Sequence, residues 1–451
     1  MRRILSAFVL GILAASCATE PPAPPNLLLV TLDTARADHV SAYGYPRETT
    51  PVLRELAEAG TRFAHAYAPA ATTAPSHATL FTSLYPLAHG IVHNGLELRP
   101  AERTLAEILR ERGYATAAFV SSFVLDARFG FAQGFERYDD DFAPGQASFP
   151  AGHEWRDQEI PGGFDRPADA TTRRAVEWLA SGRDPARPFF LFVHYFDPHA
   201  PMSPPERHAA RFAPEPGASR LEVRIGRYDG EIAFVDEQIG VLLDALARAG
   251  LDARTLVVVT ADHGEGLLQH GQMAHGVQLY EEAVRVPLVL RLPGVVPAGR
   301  VVETPVALVD LAPTLLELLG VPAQGMGFQG ESLTRALEDG GALDPERTIH
   351  LQRRHYAGEQ VGSEWVEGDL YGVRQGRWKY LESGDGERRE LYDLAADPGE
   401  TANLAPEHPE QVRRLAARIA SWRSASRRAG AAPKDLTGSE REGLRALGYV
   451  E

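Results

Sequence analysis

Two short apolar runs, Asn26-Leu27-Leu28-Leu29-Val30-Thr31 and Thr255-Leu256-Val257-Val258-Val259-Thr260, each lead within a residue or two to an acidic side chain, Asp33 and Asp262. Runs this short, β-rich and without polar alternation are buried on both faces, as the strands of a parallel sheet are. Phe189-Phe190-Leu191-Phe192-Val193 reads the same way and delivers His194, Asp197 and His199. Strand-like runs at 26–31, 115–120, 189–196, 255–260 and 286–291 alternate with helical patterns near 51–59, 76–83, 102–112, 168–181, 226–249 and 309–319. The alternation predicts an α/β fold, a large mainly parallel sheet flanked by helices, with its site at the C-terminal strand ends. Pro51 and Pro313 fall in first helical turns, where proline is tolerated.

From about residue 346 the pattern changes to short strands around Gly- and Asp-rich links, then an amphipathic helix near 408–427. The expected division is a catalytic domain over 26–345 and a small antiparallel α+β subdomain over 346–451. Residues 139–166 lack periodicity and read as a surface loop, with His153, Trp155 and Arg156 as possible substrate contacts.

Met1-Arg2-Arg3 and the apolar stretch to Ala15 form a secretory signal too short to span a bilayer. The sole cysteine, Cys17, follows Leu13-Ala14-Ala15-Ser16, as at a bacterial lipoprotein cleavage site, so residues 1–16 are expected to be removed and 17–25 to form a lipidated, Pro-rich tether. A plain signal peptide cleaved near Ala18 is the alternative. The expected location is the bacterial cell envelope, periplasmic or outer-membrane, with the lipid as the only membrane contact. A single cysteine leaves no intrachain disulfide. With 46 basic and 61 acidic residues and a net charge of −15, the chain has no general attraction for nucleic acid or anionic lipid.

Thr73-Ala74-Pro75-Ser76-His77 opens an apolar, helix-like stretch, with Pro75 suited to the first helical position. A helix start favours a nearby anion, although an isolated threonine there is more often a simple cap. Asp33, Thr73, Asp262 and His263 together offer three oxygens and an imidazole, a set suited to one divalent cation: Zn, Mn, Mg or Ca. Such a cation would activate a threonine hydroxyl that is inert by itself at neutral pH.

The chain resembles the sulfatase branch of the alkaline phosphatase superfamily, through 25–45 (PNLLLVTLDTARADHVSAYGY), 73–90 (TAPSHATLFTSLYPLAHG), 189–205 (FFLFVHYFDPHAPMSPP) and 260–287 (TADHGEGLLQHGQMAHGVQLYEEAVRVP). Gly376-Arg377-Trp378-Lys379-Tyr380 and Glu390-Leu391-Tyr392-Asp393-Leu394 resemble the family's C-terminal subdomain. The resemblance implies a hydrolase of anionic esters on small or glycan-borne substrates. Sulfatases carry a Cys or Ser at the position of Thr73, oxidised to formylglycine, and usually an Arg at that of His77. Threonine is no substrate for that oxidation, so no formylglycine is expected and a Thr73 intermediate must be released by water. The only lysines, Lys379 and Lys434, match neither active-site lysine of sulfatases, and His275 stands where one is expected.

A second similarity, to nucleotide pyrophosphatase/phosphodiesterases with their Thr nucleophile, extends over Leu84-Tyr85-Pro86, His89-Gly90 and Asn94. It implies Asn94 as an oxyanion donor, with His77 stabilising the oxyanion or orienting Thr73. The His-x-Pro setting of His199 implies a leaving-group acid, and His275 a contact to a nonbridging or leaving oxygen. Asp197, His199 and His275 are an alternative second metal site, while His270 is expected to be merely exposed. The chemistry favours phosphoesters or phosphonate esters. A true sulfatase with unmodified Thr73, a phospho-headgroup transferase and a silent envelope-binding protein are the alternatives.

Overall fold

The computed structural model describes residues 23–142, 154–155, 158–159, 164–361, 364–426, 432–438 and 440–442. Its main sheet has eight strands: β1 (Asn26–Leu32), β2 (Thr61–Phe63), β3 (Ala115–Phe119), β4 (Arg137–Asp139), β5 (Phe189–Tyr195), β6 (Thr255–Ala261), β7 (Leu288–Arg291) and β8 (Arg300–Val302). Their spatial order is β8-β2-β7-β6-β1-β5-β3-β4. The three apolar runs are the adjacent central strands β6, β1 and β5, parallel and buried along their whole length. The sheet is mixed rather than purely parallel, because β7 runs antiparallel to β6 and β2. The run expected at 286–291 also breaks at Pro287, whose missing N–H ends the pairing of Arg285–Val286 with a separate small sheet.

The principal flanking helices are α1 (Pro51–Glu58), α2 (Thr73–Thr82), α3 (Leu105–Glu111), α4 (Ala168–Glu177), α5 (Arg220–Arg248) and α6 (Leu311–Leu318). α3 starts at a capping box in which Thr104 accepts from the Glu107 N–H and the Glu107 side chain accepts from the Thr104 N–H. α5 begins earlier than its periodicity suggested, because Ser219 and Glu222 form a second capping box. α2 begins at Thr73 itself, so Thr73 is the first helical residue, Thr72 the cap, and Pro75 lies two positions further in than expected.

Beyond Thr348 a four-stranded antiparallel meander, β9 (Thr348–Val361), β10 (Glu364–Gln375), β11 (Trp378–Ser383) and β12 (Arg389–Asp393), is covered by α7 (Pro409–Ser426). Lys379 is buried there between Glu281 at 3.0 Å and Glu400 at 2.9 Å, tying the meander to the catalytic half. Among the described residues no helix is long and apolar enough to cross a membrane.

Candidate active site

Parallel register brings the acidic positions together. Thr31 is level with His194 on β5 and Thr260 on β6, and Leu32 is level with Tyr195 and Ala261. Asp33 and Asp262 therefore emerge side by side at the C-terminal edge of the sheet, and the Asp33 N–H donates to the Tyr195 carbonyl at 2.8 Å. The Asp262 Oδ1 accepts from the backbone N–H groups of Thr34 at 3.2 Å and His263 at 2.8 Å. Thr34 has φ 58°, a left-handed backbone that a β-branched residue adopts only under constraint from its surroundings. Its N–H contact with Asp262 went unnoticed in the sequence, where nothing marks a strained threonine.

Thr73 is fully buried at the start of α2, and its hydroxyl lies 3.3 Å from His263 Nε2. The His263 Nδ1–H donates to the Gly264 carbonyl at 2.9 Å, which leaves the Nε2 lone pair facing Thr73, Asp33 at 3.7 Å and Asp262 at 3.5 Å. Asn94 accepts from the Ala74 N–H through Oδ1 at 2.8 Å; this fixes the amide so that its buried Nδ2, without a partner among the described residues, lies beside the start of α2.

The His77 ring is saturated. Its Nδ1–H donates to the Thr73 carbonyl at 2.9 Å and its Nε2 accepts from the Thr31 hydroxyl at 3.0 Å. Burial lowers its pKa to about 4, so the ring is neutral. Of the two roles expected for His77, orienting Thr73 fits this geometry; donation to an oxyanion does not, because no N–H is left over. His194 faces the same cluster: Nδ1 accepts from the Ser121 N–H at 3.4 Å, and Nε2 is 3.5 Å from Asp33 Oδ2. Burial brings its pKa to about 4 as well.

The donor set fits a divalent cation. Asp33, Asp262 and His263 each offer one ligand atom, all within 4.8 Å of one another, and both Asp33 oxygens and Asp262 Oδ2 are buried without a hydrogen-bond partner among the described residues. His77, His194 and Asp262 form an overlapping group, but the engaged nitrogens of His77 favour the first set. Burial and then the Asp262 charge push the Asp33 carboxyl well above its usual range. Burial opposes ionisation of Asp262 too, yet His263, His77 and His194 together hold it below that range. Two carboxylates packed this closely share a proton unless a cation replaces it.

A second histidine cluster borders the first. His199 stacks on Phe196 at 4.5 Å, and its Nδ1 lies 2.5 Å from the Ala200 carbonyl, so Nδ1–H is committed and Nε2 is the atom for chemistry. The His275 ring is 4.9 Å from that of His199 and 4.5 Å from that of His263. Glu265, fully buried, places Oε1 3.5 Å from His275 Nδ1; burial raises its pKa but His275 and Arg224 outweigh this, so it stays ionised. That orienting role for Glu265 was missed, since an acidic residue three positions past Asp262 carries no signal of its own.

Two expectations are corrected. Asp197 does not join His199 and His275 as a metal set: its Oδ1 accepts from the Ala168 N–H at the start of α4, and it lines a separate cavity with Ser203 and Glu231. His270 is not merely exposed; its ring stacks on Tyr280 at 3.7 Å, and Nδ1 meets Glu282 at 2.6 Å, which the loop composition concealed. Cys17, His153 and Arg156 lie outside the described residues, as does the Trp155 side chain.

A mainly parallel sheet that aims two aspartates and a histidine at a hydroxyl on a helix start defines the alkaline-phosphatase-like class of ester-bond hydrolases. Within it, the chain belongs to the sulfatase family, whose model matches residues 25–321. The C-terminal domain model of N-sulphoglucosamine sulphohydrolase matches residues 270–425. Arylsulfatase A of Homo sapiens is 28% identical, the match covering 87% of this chain and 86% of that protein. N-acetylglucosamine-6-O-sulfatase of Bacteroides thetaiotaomicron is 25% identical over 86% and 85% of the two chains. Among solved structures, the phosphonate monoester hydrolase of Agrobacterium radiobacter superposes with a TM-score of 0.71 at 24% identity, covering 89% of this chain and 96% of that one. A protein in complex with its substrate D-glucosamine-2-N,6-O-disulfate superposes at 0.75 with 22% identity, covering 89% and 98%. The chain is thus an enzyme, a hydrolase acting on ester bonds.

Proposed function

We propose that this sulfatase-family hydrolase cleaves phosphoesters or phosphonate esters in preference to sulfate esters, through a covalent intermediate on Thr73. The observation that carries the reading is the threonine itself, buried at the start of α2 with its hydroxyl 3.3 Å from His263 Nε2. Its methyl-bearing Cβ cannot become the aldehyde hydrate through which formylglycine sulfatases release sulfate by elimination.

A divalent cation held by Asp33, Asp262 and His263 with Thr73 would supply positive charge that lowers the Thr73 hydroxyl pKa and polarises the ester. Deprotonated Thr73 Oγ forms a bond to phosphorus as the bond to the leaving oxygen breaks. The Asn94 Nδ2–H donates to the oxygen that gains charge. His199 Nε2 gives its proton to the leaving oxygen, a role suited to an imidazole near neutral pH. Water then attacks the Thr73 ester and returns a proton to His199, regenerating the Thr73 oxyanion. His77 fixes the Thr73 backbone, and His275, backed by Glu265, contacts a substrate oxygen.

The names of the relatives favour a second reading, sulfate ester hydrolysis by unmodified Thr73. The two separate on one panel: aryl phosphate, phosphodiester, phosphonate and sulfate turnover by the metal-loaded enzyme, with metal content measured in parallel. The phosphorus esters are expected to have the higher kcat/KM, and an aryl sulfate turned over faster than all of them rejects the first reading. Attachment to the cell envelope through acylated Cys17 is likewise our proposal. It predicts that Cys17→Ala moves the protein from the membrane to the soluble fraction, and an unchanged membrane fraction refutes it.

A further inference from the structure

The C-terminal meander and the catalytic half enclose a cavity of about 700 Å³, which Trp422 of α7, His350 of β9, Gln375 of β10 and Tyr85 help to line. Tyr85 follows the far end of α2, so the cavity lies roughly 15 Å from Thr73, the length of that ten-residue helix at 1.5 Å per residue. It is therefore separate from the chemistry described above.

Its lining is polar and incompletely paired. The Trp422 Nε1–H, Gln375 Oε1, His350 Nδ1 and an Arg347 Nη have no partner among the described residues, although Trp422 is only 7% exposed and Gln375 2%. Buried groups of this kind are normally satisfied, and four within the lining of one cavity are places where a ligand can make hydrogen bonds once those side chains turn slightly outward, since each atom is itself shielded from solvent. The aromatic side is rigid: His350 stacks on Trp422 at 4.7 Å and 4°, and Tyr85 meets both rings edge-on. Burial, reinforced by Arg418, brings His350 to about 4 and keeps it neutral.

The charges exclude a polyanion. Arginines 347, 414 and 418 share the lining with Asp310, Glu331, Asp344 and Glu346, and Asp310 already holds Arg347 at 2.8 Å. What the cavity offers is an interleaved set of donors and acceptors beside aromatic carbon. That suits a ligand whose every polar group both donates and accepts, which is the property of a hydroxyl. The volume lies in the range of small-ligand sites at domain junctions. We propose that this cavity is a saccharide-binding site, taking an uncharged pyranose unit through hydrogen bonds to Trp422, Gln375 and Arg347. It would act beside the hydrolytic centre and does not depend on which ester Thr73 cleaves.

Titration of the full chain with maltohexaose, chitohexaose, xylohexaose and mannohexaose, read by calorimetry and tryptophan fluorescence, tests this. At least one is expected to bind with a Kd between about 10 μM and 1 mM. Trp422→Phe keeps an aromatic ring but removes the Nε1–H together with the pyrrole part of the indole, and is expected to weaken that binding about tenfold. Arg418→Met, on the exposed face of α7, should weaken it less. Hydrolysis of an aryl ester should be unchanged in both variants. Absence of binding by all four saccharides at about 10 mM, or binding undiminished in Trp422→Phe, overturns the proposal.

Discussion

Asn94 joins two functions that substitution can separate. Its Oδ1 holds the buried Ala74 N–H at the start of α2, and its Nδ2 has no partner among the described residues. Asn94→Ala leaves that N–H unsatisfied, which costs about 1–3 kcal/mol of stability. If Nδ2 also donates to the reacting oxyanion, its loss costs about 2.7–4 kcal/mol in the transition state, a fall in kcat of about 10²–10³-fold. Asn94→Asp keeps an acceptor for Ala74 and places negative charge at a helix N-terminus, worth about 0.3–1 kcal/mol, but it has no N–H to donate. Urea unfolding and aryl phosphate kinetics on the metal-loaded proteins separate the two effects. Asn94→Asp should lie nearer to wild type in stability than Asn94→Ala, yet lose at least as much kcat. If Asn94→Asp turns over at the wild-type rate, or Asn94→Ala loses stability alone, Asn94 is a helix cap and the oxyanion assignment fails.

Thr73→Ala should abolish hydrolysis, by at least about 10³-fold given that the nucleophile is removed, while circular dichroism and melting stay native-like; turnover near wild type would refute the nucleophile. His89 is buried to a pKa of about 3, with Nδ1 accepting from the Ile91 N–H and Nε2 meeting Thr79 at 3.0 Å. Because this folded pKa lies below the unfolded value of 6.5, the unfolded chain binds the extra proton and stability falls as pH drops below 6.5. The loss from this site should be about 2 kcal/mol between pH 6.5 and 5. His89→Gln should flatten the urea midpoint over that interval, and an unaltered pH slope would count against burial of a neutral ring. Lys379→Met leaves Glu281 and Glu400 facing each other without their shared cation, which should destabilise the chain by about 3–5 kcal/mol; a melting temperature within a degree or so of wild type would contradict the buried pairing.

The central strands were legible because burial on both faces leaves an unbroken apolar run, and β1, β5 and β6 fall where those runs lie. Short strands such as β2 and the edge strand β8 were not, since three residues cannot show a period. The antiparallel direction of β7 was not legible because strand direction is set by the connection and leaves no mark on composition.

Taken alone, the sequence determined the α/β class, the carboxylates at the strand ends, a threonine where sulfatases carry an oxidisable cysteine, and the separate character of the last hundred residues. The tertiary structure decided what each buried ring and amide can do. Parallel register put Asp33 beside Asp262, across 229 positions of chain. Packing gave both nitrogens of His77 to Thr31 and Thr73, directed the lone pair of His263 towards Asp33, Asp262 and Thr73, left Nδ2 of Asn94 without a partner among the described residues, and turned Asp197 away towards α4. Residue type fixes which donors and acceptors a side chain owns. Which of them are already spent depends on neighbours brought in from distant parts of the chain.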